Sequence, residues 1–362
     1  MLYSASMADE VRNRQVGAHY LMAQLVWCTL GLVGGCVVAL LDYRTLKKIT
    51  LPLLLLALFL LLLVLIPHIG LKVNGARRWL GFHSIRFQPS ELAKLALIVF
   101  LAWYGERYQR QMHTWMQGIV IPGAFIGATL LLIFVEPDRG STILLAAVSA
   151  AMLLLAGVRW KYFVPPVLAG VAALALSIWH DPMRMKRIFS WLDLEQTKSG
   201  VGYQAYQAML ALGAGGWTGL GLGNGRQKLG FVPEHHTDFI LSIIGEEIGF
   251  VATFAVIVGF ILIVVSGLYI ARHARDTFGL LLGAGLTILI GLQAFINIAV
   301  VTSVFPNKGL PLPFISYGGS NLLMMLVCVG CLLSIARQAR EPAAVPDRAV
   351  ETDEFPGLQT AP

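Results

Sequence analysis

The sequence predicts an all-α polytopic membrane protein, and three observations support this prediction. Of its 362 residues, 57% are hydrophobic and 13% are charged, about half the charged share of a soluble domain. The mean hydropathy is +0.72. The third observation is a series of apolar runs close to membrane-spanning length. Together these features exclude a disordered chain, a disulfide-stabilised scaffold and an ordinary cytosolic enzyme.

A transmembrane helix needs about 20 mostly apolar residues, and nine runs approach this length. They are Tyr20–Leu41, Leu51–Ile69, Leu92–Tyr104, Ile119–Val135, Ser141–Val158, Tyr162–Trp179, Phe239–Ala271, Phe278–Val304 and Asn321–Ile335. The third run is short and needs Glu91 or the preceding loop to complete it, whereas the seventh is long enough to bend. Residues 180–238 form the one long connection, and its aromatic and leucine residues predict that it packs against the membrane domain.

Orientation follows from Lys and Arg in short loops, which are more frequent on the cytoplasmic side. The loops on one side carry eleven of these residues, and those on the other side carry eight, excluding the long connection. The larger set is Arg44, Lys47, Lys48, Arg107, Arg110, Arg159, Lys161, Arg272, Arg275, Arg337 and Arg340. The sequence therefore predicts an extracytoplasmic long loop and N-terminus, and a cytoplasmic C-terminus. Residues 341–362 are polar and Pro-rich, which is typical of a disordered tail.

The net charge is +7, from 27 Lys and Arg against 20 Asp and Glu. This surplus favours loops that lie against an anionic membrane surface. A chain this apolar lacks the solvated basic face that nucleic acid requires, so a nucleic-acid partner is not expected.

Five ionisable residues lie at or inside the apolar runs, where charge is costly in lipid and indicates candidate functional residues. Glu91 and Lys94 are three residues apart, so a local ion pair is an alternative to a functional role and is compatible with it. For Glu246 and Glu247, hydrogen bonding between helices in the bundle interior is favoured. Asp238 either caps the following helix or acts as a base at the mouth of a cavity.

Three further segments combine glycine, proline or histidine near these charges. The Gly-rich residues 213–225 do not follow a dinucleotide-binding pattern, and we expect them to permit tight re-entrant backbone or close approach to a ligand. Residues 308–321 are poor in helix formers and predict a rigid rim. Ser316 in this segment has no neighbouring Asp or His that would suggest a catalytic triad. The adjacent His235 and His236 do not predict a metal site, because neighbouring residues on a helix point apart.

Four motifs resemble the SEDS family, the shape, elongation, division and sporulation proteins. They are NGARRWL with RFQPSELAKL, EPDRGST, GYQAYQAMLALGAGGWTGLGLGNGRQKLGFVPEHHTDF, and NKGLPLPFISYGGSN. The resemblance runs from Met1 to about Arg340, is closest to the division-type members, and implies a SEDS-type helical bundle with ten spans. The stretch resembling Leu2–Ser6 normally ends the first of these spans, so that span is expected to be missing here or lost to a start site placed too far downstream. The chain then divides into residues 1–19, a membrane domain at 20–340 and the tail at 341–362.

The resemblance implies a peptidoglycan glycosyltransferase that joins lipid II units into glycan strands at the outer face of the bacterial cytoplasmic membrane. It implies a class B penicillin-binding protein as partner, together with other division or elongation proteins. It places the family's catalytic aspartate at Asp238. The other residues of the family's extracytoplasmic cavity and its rim map to Arg78, Arg86, Glu91, Lys94, Asp138, Lys308 and Ser316.

The implied chemistry suits these residue types. A carboxylate can accept the proton of the attacking sugar hydroxyl if desolvation raises its pKa. Fixed cations can hold the leaving pyrophosphate, and Arg78, Arg86 and Lys94 are the candidates. A divalent cation, Mg²⁺ or Mn²⁺, could share this task, but no ligand set in the sequence demonstrates one.

The same residues are also compatible with three alternative functions. A lipid II flippase also has charges within its spans and Gly or Pro breaks, although the sequence contains no visible inverted repeat. An elongation-type polymerase would use the same chemistry. A scaffold for division proteins would tolerate substitutions at Arg78, Lys94 and Asp238.

Overall fold

The computed structural model describes residues 18–73, 75–82, 85–227 and 237–340, and helices dominate it. The helices are α1 (Ala18–Leu40), α2 (Thr45–Leu65), α3 (Pro89–Arg107), α4 (Ile121–Val135), α5 (Arg139–Leu155), α6 (Trp160–Trp179), α7 (Pro182–Leu192), α8 (Tyr203–Ala214), α9 (Ile240–Ile248), α10 (Phe250–Arg272), α11 (Thr277–Val301) and α12 (Gly319–Arg340). A 3-10 turn lies at Gln109–Gln111, and a π-helical turn at Met116–Val120 continues into α4. Residues 1–17, His235, His236 and the predicted tail lie outside the described residues.

The helical membrane fold is confirmed, and each of the nine predicted runs overlaps a helix. Within the described residues, seven helices are long and apolar enough to cross a membrane: α1, α2, α4 with its π-helical turn, α6, α10, α11 and α12. The remaining two runs correspond to α3, which carries four charged residues, and α5, which has 17 residues. The second predicted run, Leu51–Ile69, begins and ends too late in the chain, because the helix begins at Thr45 and the residues after Leu65 form a turn.

Helix α3 lies at the centre of the bundle. Most of its residues are buried, and it contacts α2, α4, α5, α11 and α12. Its charged residues Glu91 and Lys94 are therefore surrounded by protein rather than by lipid, which is the condition under which charge is tolerated at membrane depth.

The first and last described helices pack closely through small residues. A Cβ atom added to Gly35 of α1 would lie 2.7 Å from the carbonyl oxygen of Leu326 in α12, and Gly330 approaches the backbone of Gly35 in the same way. Small residues permit this backbone approach between membrane helices, where dispersion contacts replace the hydrophobic effect as the driving force.

A small antiparallel sheet, absent from the predicted all-helical pattern, precedes α3. Its strands are β1 (Gly70–Val73), β2 (Ala76–Phe82) and β3 (Ile85–Phe87), in the order β1-β2-β3. The β1–β2 register pairs Val73 with Ala76 across a two-residue connection whose second residue, Gly75, has a φ of 82°. The Asn-Gly sequence at this connection is a strong hairpin signal that the prediction of spans did not use.

The seventh predicted run is two helices, α9 and α10, separated at Gly249. Gly249 has a φ of 87°, and a Cβ atom there would lie 2.6 Å from the carbonyl oxygen of Trp217. The Gly-rich segment thus folds back against this break, as expected for re-entrant backbone. The long connection also forms α7 and α8 and packs on the bundle: Trp191 donates its indole N–H to the carbonyl of Ser303 at 2.9 Å.

The end of the bundle opposite Asp238 is held by Asp276. Its carboxylate accepts hydrogen bonds from the backbone N–H of Gly279, the hydroxyl of Tyr43 and the side chains of Arg44 and Lys47. Two of the cations that predict the cytoplasmic side are thus paired with a carboxylate that caps α11.

Candidate active site

Asp238 lies two residues before α9 and is partly buried. Its backbone carbonyl accepts a hydrogen bond of 2.8 Å from the side-chain amide of Asn297 in α11. The same amide nitrogen donates to the carbonyl of Leu310 at 2.7 Å. The buried Asn297 therefore ties the segment carrying Asp238 to the loop between α11 and α12, which we call the rim loop (residues 302–318).

The carboxylate of Asp238 lies against the backbone of the rim loop. A Cβ atom on Gly309 would lie 2.7 Å from Oδ2 of Asp238. On its other side, the loop contacts the first turn of α5: a Cβ atom on Gly140 would lie 2.9 Å from Cγ of Leu310 and 3.0 Å from the Gly309 carbonyl oxygen. Three of the sequence motifs thus meet at one end of the bundle, which we call the Asp238 end.

A cavity of about 230 Å³ lies beside this junction, between α5, α11 and the rim loop. It is mainly apolar, and Lys308 is the charged residue among those that line it. Burial lowers the pKa of Lys308. The lining residues are Gly140, Ile143, Ile296, Val300, Phe305, Pro306, Lys308 and Leu310.

Ser316 closes the rim loop upon itself. Its hydroxyl donates to the carbonyl of Thr237 at 2.6 Å and accepts from the backbone N–H of Leu312 at 2.7 Å. The side chain is 4% exposed. The first bond ties the rim loop to the residue before Asp238, and the second lies within the rim loop, so the serine holds the loop against the segment that carries Asp238.

Glu91 and Lys94 form a buried ion pair below the rim loop, with Nζ of Lys94 2.9 Å from Oε1 of Glu91. Glu91 also accepts from the amide of Asn321 at 3.0 Å, and Lys94 donates to Oε1 of Gln293 at 3.1 Å. Gln293 in turn donates to the Pro311 carbonyl at 2.9 Å. The two charged side chains are 3% and 1% exposed, so this network joins α3, α11, α12 and the rim loop from the interior.

Arg78, Arg86 and Asp138 lie around the sheet and the start of α5. Arg78 donates to the backbone carbonyls of Glu136 and Pro137 at 3.0 and 2.5 Å. Asp138 caps α5 through the N–H of Ser141 at 3.1 Å and accepts from the Gln88 side chain at 3.2 Å. Arg86 is exposed.

Glu136 is a buried carboxyl group that the sequence analysis did not single out. The residue is 0% exposed, and neither carboxyl oxygen has a hydrogen-bond partner within the described residues. Burial and the nearby Asp138 raise its pKa to about 8, against the opposing effect of Arg78. Asn297 and Gln293 were also missed, although a polar amide inside an apolar run is a signal that could have found them.

Glu246 holds the end of the Gly-rich segment. Its carboxylate accepts the backbone N–H of Arg226 at 2.7 Å and that of Gln227 at 3.2 Å. The favoured interpretation of Glu246, hydrogen bonding between helices, is wrong, because the carboxylate accepts these bonds from backbone amides of a loop. Glu246 belongs to the helix that follows Asp238, so it closes the loop that contains this aspartate.

The described residues hold no group of three or more His, Cys, Asp or Glu side chains that could bind a metal ion. The described residues by themselves therefore offer no complete ligand set for a metal ion.

These features define a class: polytopic helical membrane proteins with a polar, loop-covered site at one end of the bundle. The chain belongs to the FtsW/RodA/SpoVE family of cell cycle proteins, whose family model matches residues 1–341. The resemblance to SEDS proteins is therefore confirmed.

Two curated relatives carry the name "Probable peptidoglycan glycosyltransferase FtsW". The protein from Trichlorobacter lovleyi (strain ATCC BAA-1151 / DSM 17278 / SZ) is 42% identical over 93% of this chain and 88% of its own length. The protein from Geobacter sp. (strain M18) is 40% identical over 95% of this chain and 94% of its own.

Two solved structures share the fold. A chain from "Structural coordination of polymerization and crosslinking by a peptidoglycan synthase complex" has a TM-score of 0.78 and 26% identity, covering 94% of this chain and 95% of its own. A variant of the Thermus thermophilus rod shape determining protein RodA has a TM-score of 0.64 and 26% identity, covering 89% of each chain.

Proposed function

We propose that this protein is a peptidoglycan glycosyltransferase that joins lipid II units into glycan strands, in the manner of division-type FtsW proteins. The observation that carries the proposal is the Asp238 carboxylate, held against the Gly309 backbone at one end of a membrane bundle. The name shared by its curated relatives supports the class of reaction.

Asp238 is the proposed general base. The acceptor sugar hydroxyl loses its proton to the carboxylate while its oxygen bonds to the anomeric carbon of the donor. The bond from that carbon to the lipid pyrophosphate breaks with inversion, and the pyrophosphate leaves with the electron pair. Partial withdrawal from water strengthens a carboxylate as a base, and fixed cations near the leaving group stabilise its charge.

The other site residues are proposed to support substrate binding, some by direct contact with the substrate and others by holding the backbone around the site. Lys308 and the exposed Arg86 lie where a phosphate could reach them. Arg78, Asp138 and Ser316 hold backbone around the site, and the Glu91–Lys94 pair supports the rim loop from below. A divalent cation, Mg²⁺ or Mn²⁺, is proposed to bind to the pyrophosphate of the substrate, whose oxygens can hold such an ion without a full set of protein ligands.

The Asp238 end is proposed to face the outside of the bacterial cytoplasmic membrane, with the C-terminus in the cytoplasm. The distribution of Lys and Arg in short loops supports this orientation. A class B penicillin-binding protein is the proposed partner, which the likeness to a chain of a peptidoglycan synthase complex supports.

The test is polymerisation of labelled lipid II by the purified chain with its partner transpeptidase. We expect Asp238→Asn, which keeps the shape of the side chain but cannot accept the proton, to reduce the rate about 100-fold or more. The matched control is Asp193→Asn, an exposed aspartate of the same long connection, which should retain the rate. A well-folded Asp238→Asn protein with the control's activity would refute the assignment of the base.

The same preparations separate the alternatives. A flippase predicts lipid II movement across proteoliposomes without polymerisation, in wild type and in Asp238→Asn alike. A scaffold predicts that neither assay responds to this substitution. An elongation-type polymerase would pass the first test, and replacement of the cell's division-type or elongation-type enzyme by this chain distinguishes the two.

A further inference from the structure

Two arginines converge on one serine at the Asp238 end. Arg139 at the start of α5 donates a hydrogen bond from Nη1 to the hydroxyl of Ser177 in α6. Arg184 in α7 donates from its own Nη1 to the same hydroxyl oxygen at 3.3 Å, and to the Ser177 carbonyl at 3.3 Å. Because both nitrogens bond one oxygen, the two guanidinium groups lie within about 6 Å of each other.

The charge of this pair is only partly balanced. Oδ2 of Asp181 forms an ion pair with Nε of Arg184 at 3.0 Å, which leaves one net positive charge among the three groups. Nε of Arg139 is buried and has no hydrogen-bond partner within the described residues. Its guanidinium carbon lies 3.7 Å above the ring centre of Phe134, which holds the planar group in one orientation. Two like charges held together with only one carboxylate beside them favour an anion as the missing partner.

The pair lies beside an exposed apolar surface formed by α6 and α7. Phe163 is the one buried residue among those described in α6, and Trp179 at the end of that helix is 75% exposed. The next helix, α7, presents Met183 and Leu192 at 60% and 67% exposure. A helix that combines exposed apolar side chains with basic ones is typical of the boundary between lipid tails and headgroups.

We propose that Arg139 and Arg184 bind the phosphate group of a membrane lipid at the Asp238 end. Planar guanidinium groups form paired hydrogen bonds with phosphate oxygens, which a lysine cannot do in the same geometry. The phosphate has two sources, the headgroup of a phospholipid and the pyrophosphate of a polyprenyl carrier. Binding of the polyprenyl pyrophosphate rests on the proposed function, whereas binding of a phospholipid headgroup does not. Arg139 directly precedes Gly140, which lines the 230 Å³ cavity that also contains Lys308, so the arginine pair is joined through the start of α5 to the candidate active site.

Native mass spectrometry of the purified full-length chain can measure the binding of four probes. Undecaprenyl pyrophosphate and phosphatidylglycerol carry phosphate, whereas undecaprenol and diacylglycerol are their uncharged counterparts. In Arg139→Gln/Arg184→Gln, we expect at least one phosphate probe to bind about tenfold more weakly, because two charge-assisted contacts are lost. The uncharged probes should bind as they do to wild type. Lys186→Gln/Lys198→Gln removes the same charge from exposed positions nearby and should leave all four affinities unchanged.

Each outcome decides the proposal. A loss confined to the pyrophosphate probe identifies the carrier lipid, and a loss confined to phosphatidylglycerol identifies a phospholipid. Unchanged binding of both, an equal loss for the uncharged probes, or an equal loss in the lysine control overturns the site. If the double variant does not fold, Arg184→Gln alone repeats the test, with an expected loss of about threefold. Binding is measured without glycan synthesis, so its failure leaves the assignment of Asp238 intact, and an inactive Asp238→Asn protein leaves the binding site intact.

Discussion

Substitution of Gly309 by alanine tests directly whether the position of the Asp238 carboxylate limits the reaction. The added Cβ atom would lie 2.7 Å from Oδ2 of Asp238, whereas ordinary contact begins near 3.4 Å. The carboxylate must therefore move by about 0.7 Å, the difference between these distances. A misplacement of about 1 Å can cost roughly 100-fold in rate, so we expect the rate to fall between about 10- and 100-fold.

The fold itself should tolerate this change. Gly309 is exposed and has no positive φ, and the atom that moves is the end of a side chain. We expect the free energy of unfolding to change by less than about 1 kcal/mol. Thermal unfolding of the purified chain measures this, and initial rates of lipid II polymerisation measure the catalytic effect.

Gly318→Ala is the matched control in the same loop. Among the described residues, its added Cβ atom would meet Cβ of Asn321 alone, at 3.7 Å, which is ordinary contact. We expect this variant to keep the wild-type rate. The reasoning is refuted if Gly309→Ala also keeps that rate, or if both variants lose activity together with thermal stability, because the loop's folding would then explain the loss.

Three further predictions concern buried carboxyl groups. Glu91→Gln leaves the Lys94 ammonium buried without its carboxylate and should lower the free energy of unfolding by about 3–5 kcal/mol. In a double-mutant cycle with Lys94→Met, the two effects on this free energy should be strongly non-additive, and additive effects would contradict the pairing. Glu246→Ala should accelerate hydrogen exchange at the two loop amides that the carboxylate accepts, with Glu246→Gln intermediate; unchanged exchange would exclude this anchoring role. The pKa of Glu136 is raised from its ordinary 4.5 to about 8, so between these pH values the folded chain keeps a proton that the unfolded chain releases. The free energy of unfolding should therefore fall as the pH rises from 4.5 to about 8. Unfolding measured across this pH range should show a smaller fall in Glu136→Gln, and an identical fall would rule Glu136 out as its source.

Most helices could be predicted because their signal is local. An apolar run of about 20 residues selects a helix in lipid whatever its neighbours are, since only internal hydrogen bonds satisfy the backbone there. The Glu91–Lys94 pair was also within reach, because residues three apart share one helix face. The sheet at residues 70–87 was missed, although the Asn-Gly sequence before β2 signals a hairpin.

The break at Gly249 and the role of Glu246 could not be predicted from spacing. Gly249 needs its positive φ because the backbone of Trp217 approaches it from a separate segment. Glu246 accepts amides 20 and 19 residues earlier in the chain. Both features depend on how the Gly-rich segment folds back, and an apolar pattern carries no information about that path.

By itself, the sequence determined the class of protein, the approximate positions of its spans, its family motifs and the choice of Asp238 as a candidate base. These conclusions follow from apolar length, charge and short-range spacing, which act over a few turns of one helix. Only the tertiary structure decided that Asp238 lies against Gly309 and that Arg139 meets Arg184. Such contacts join segments tens of residues apart, and the packing of helices against one another is what brings them together.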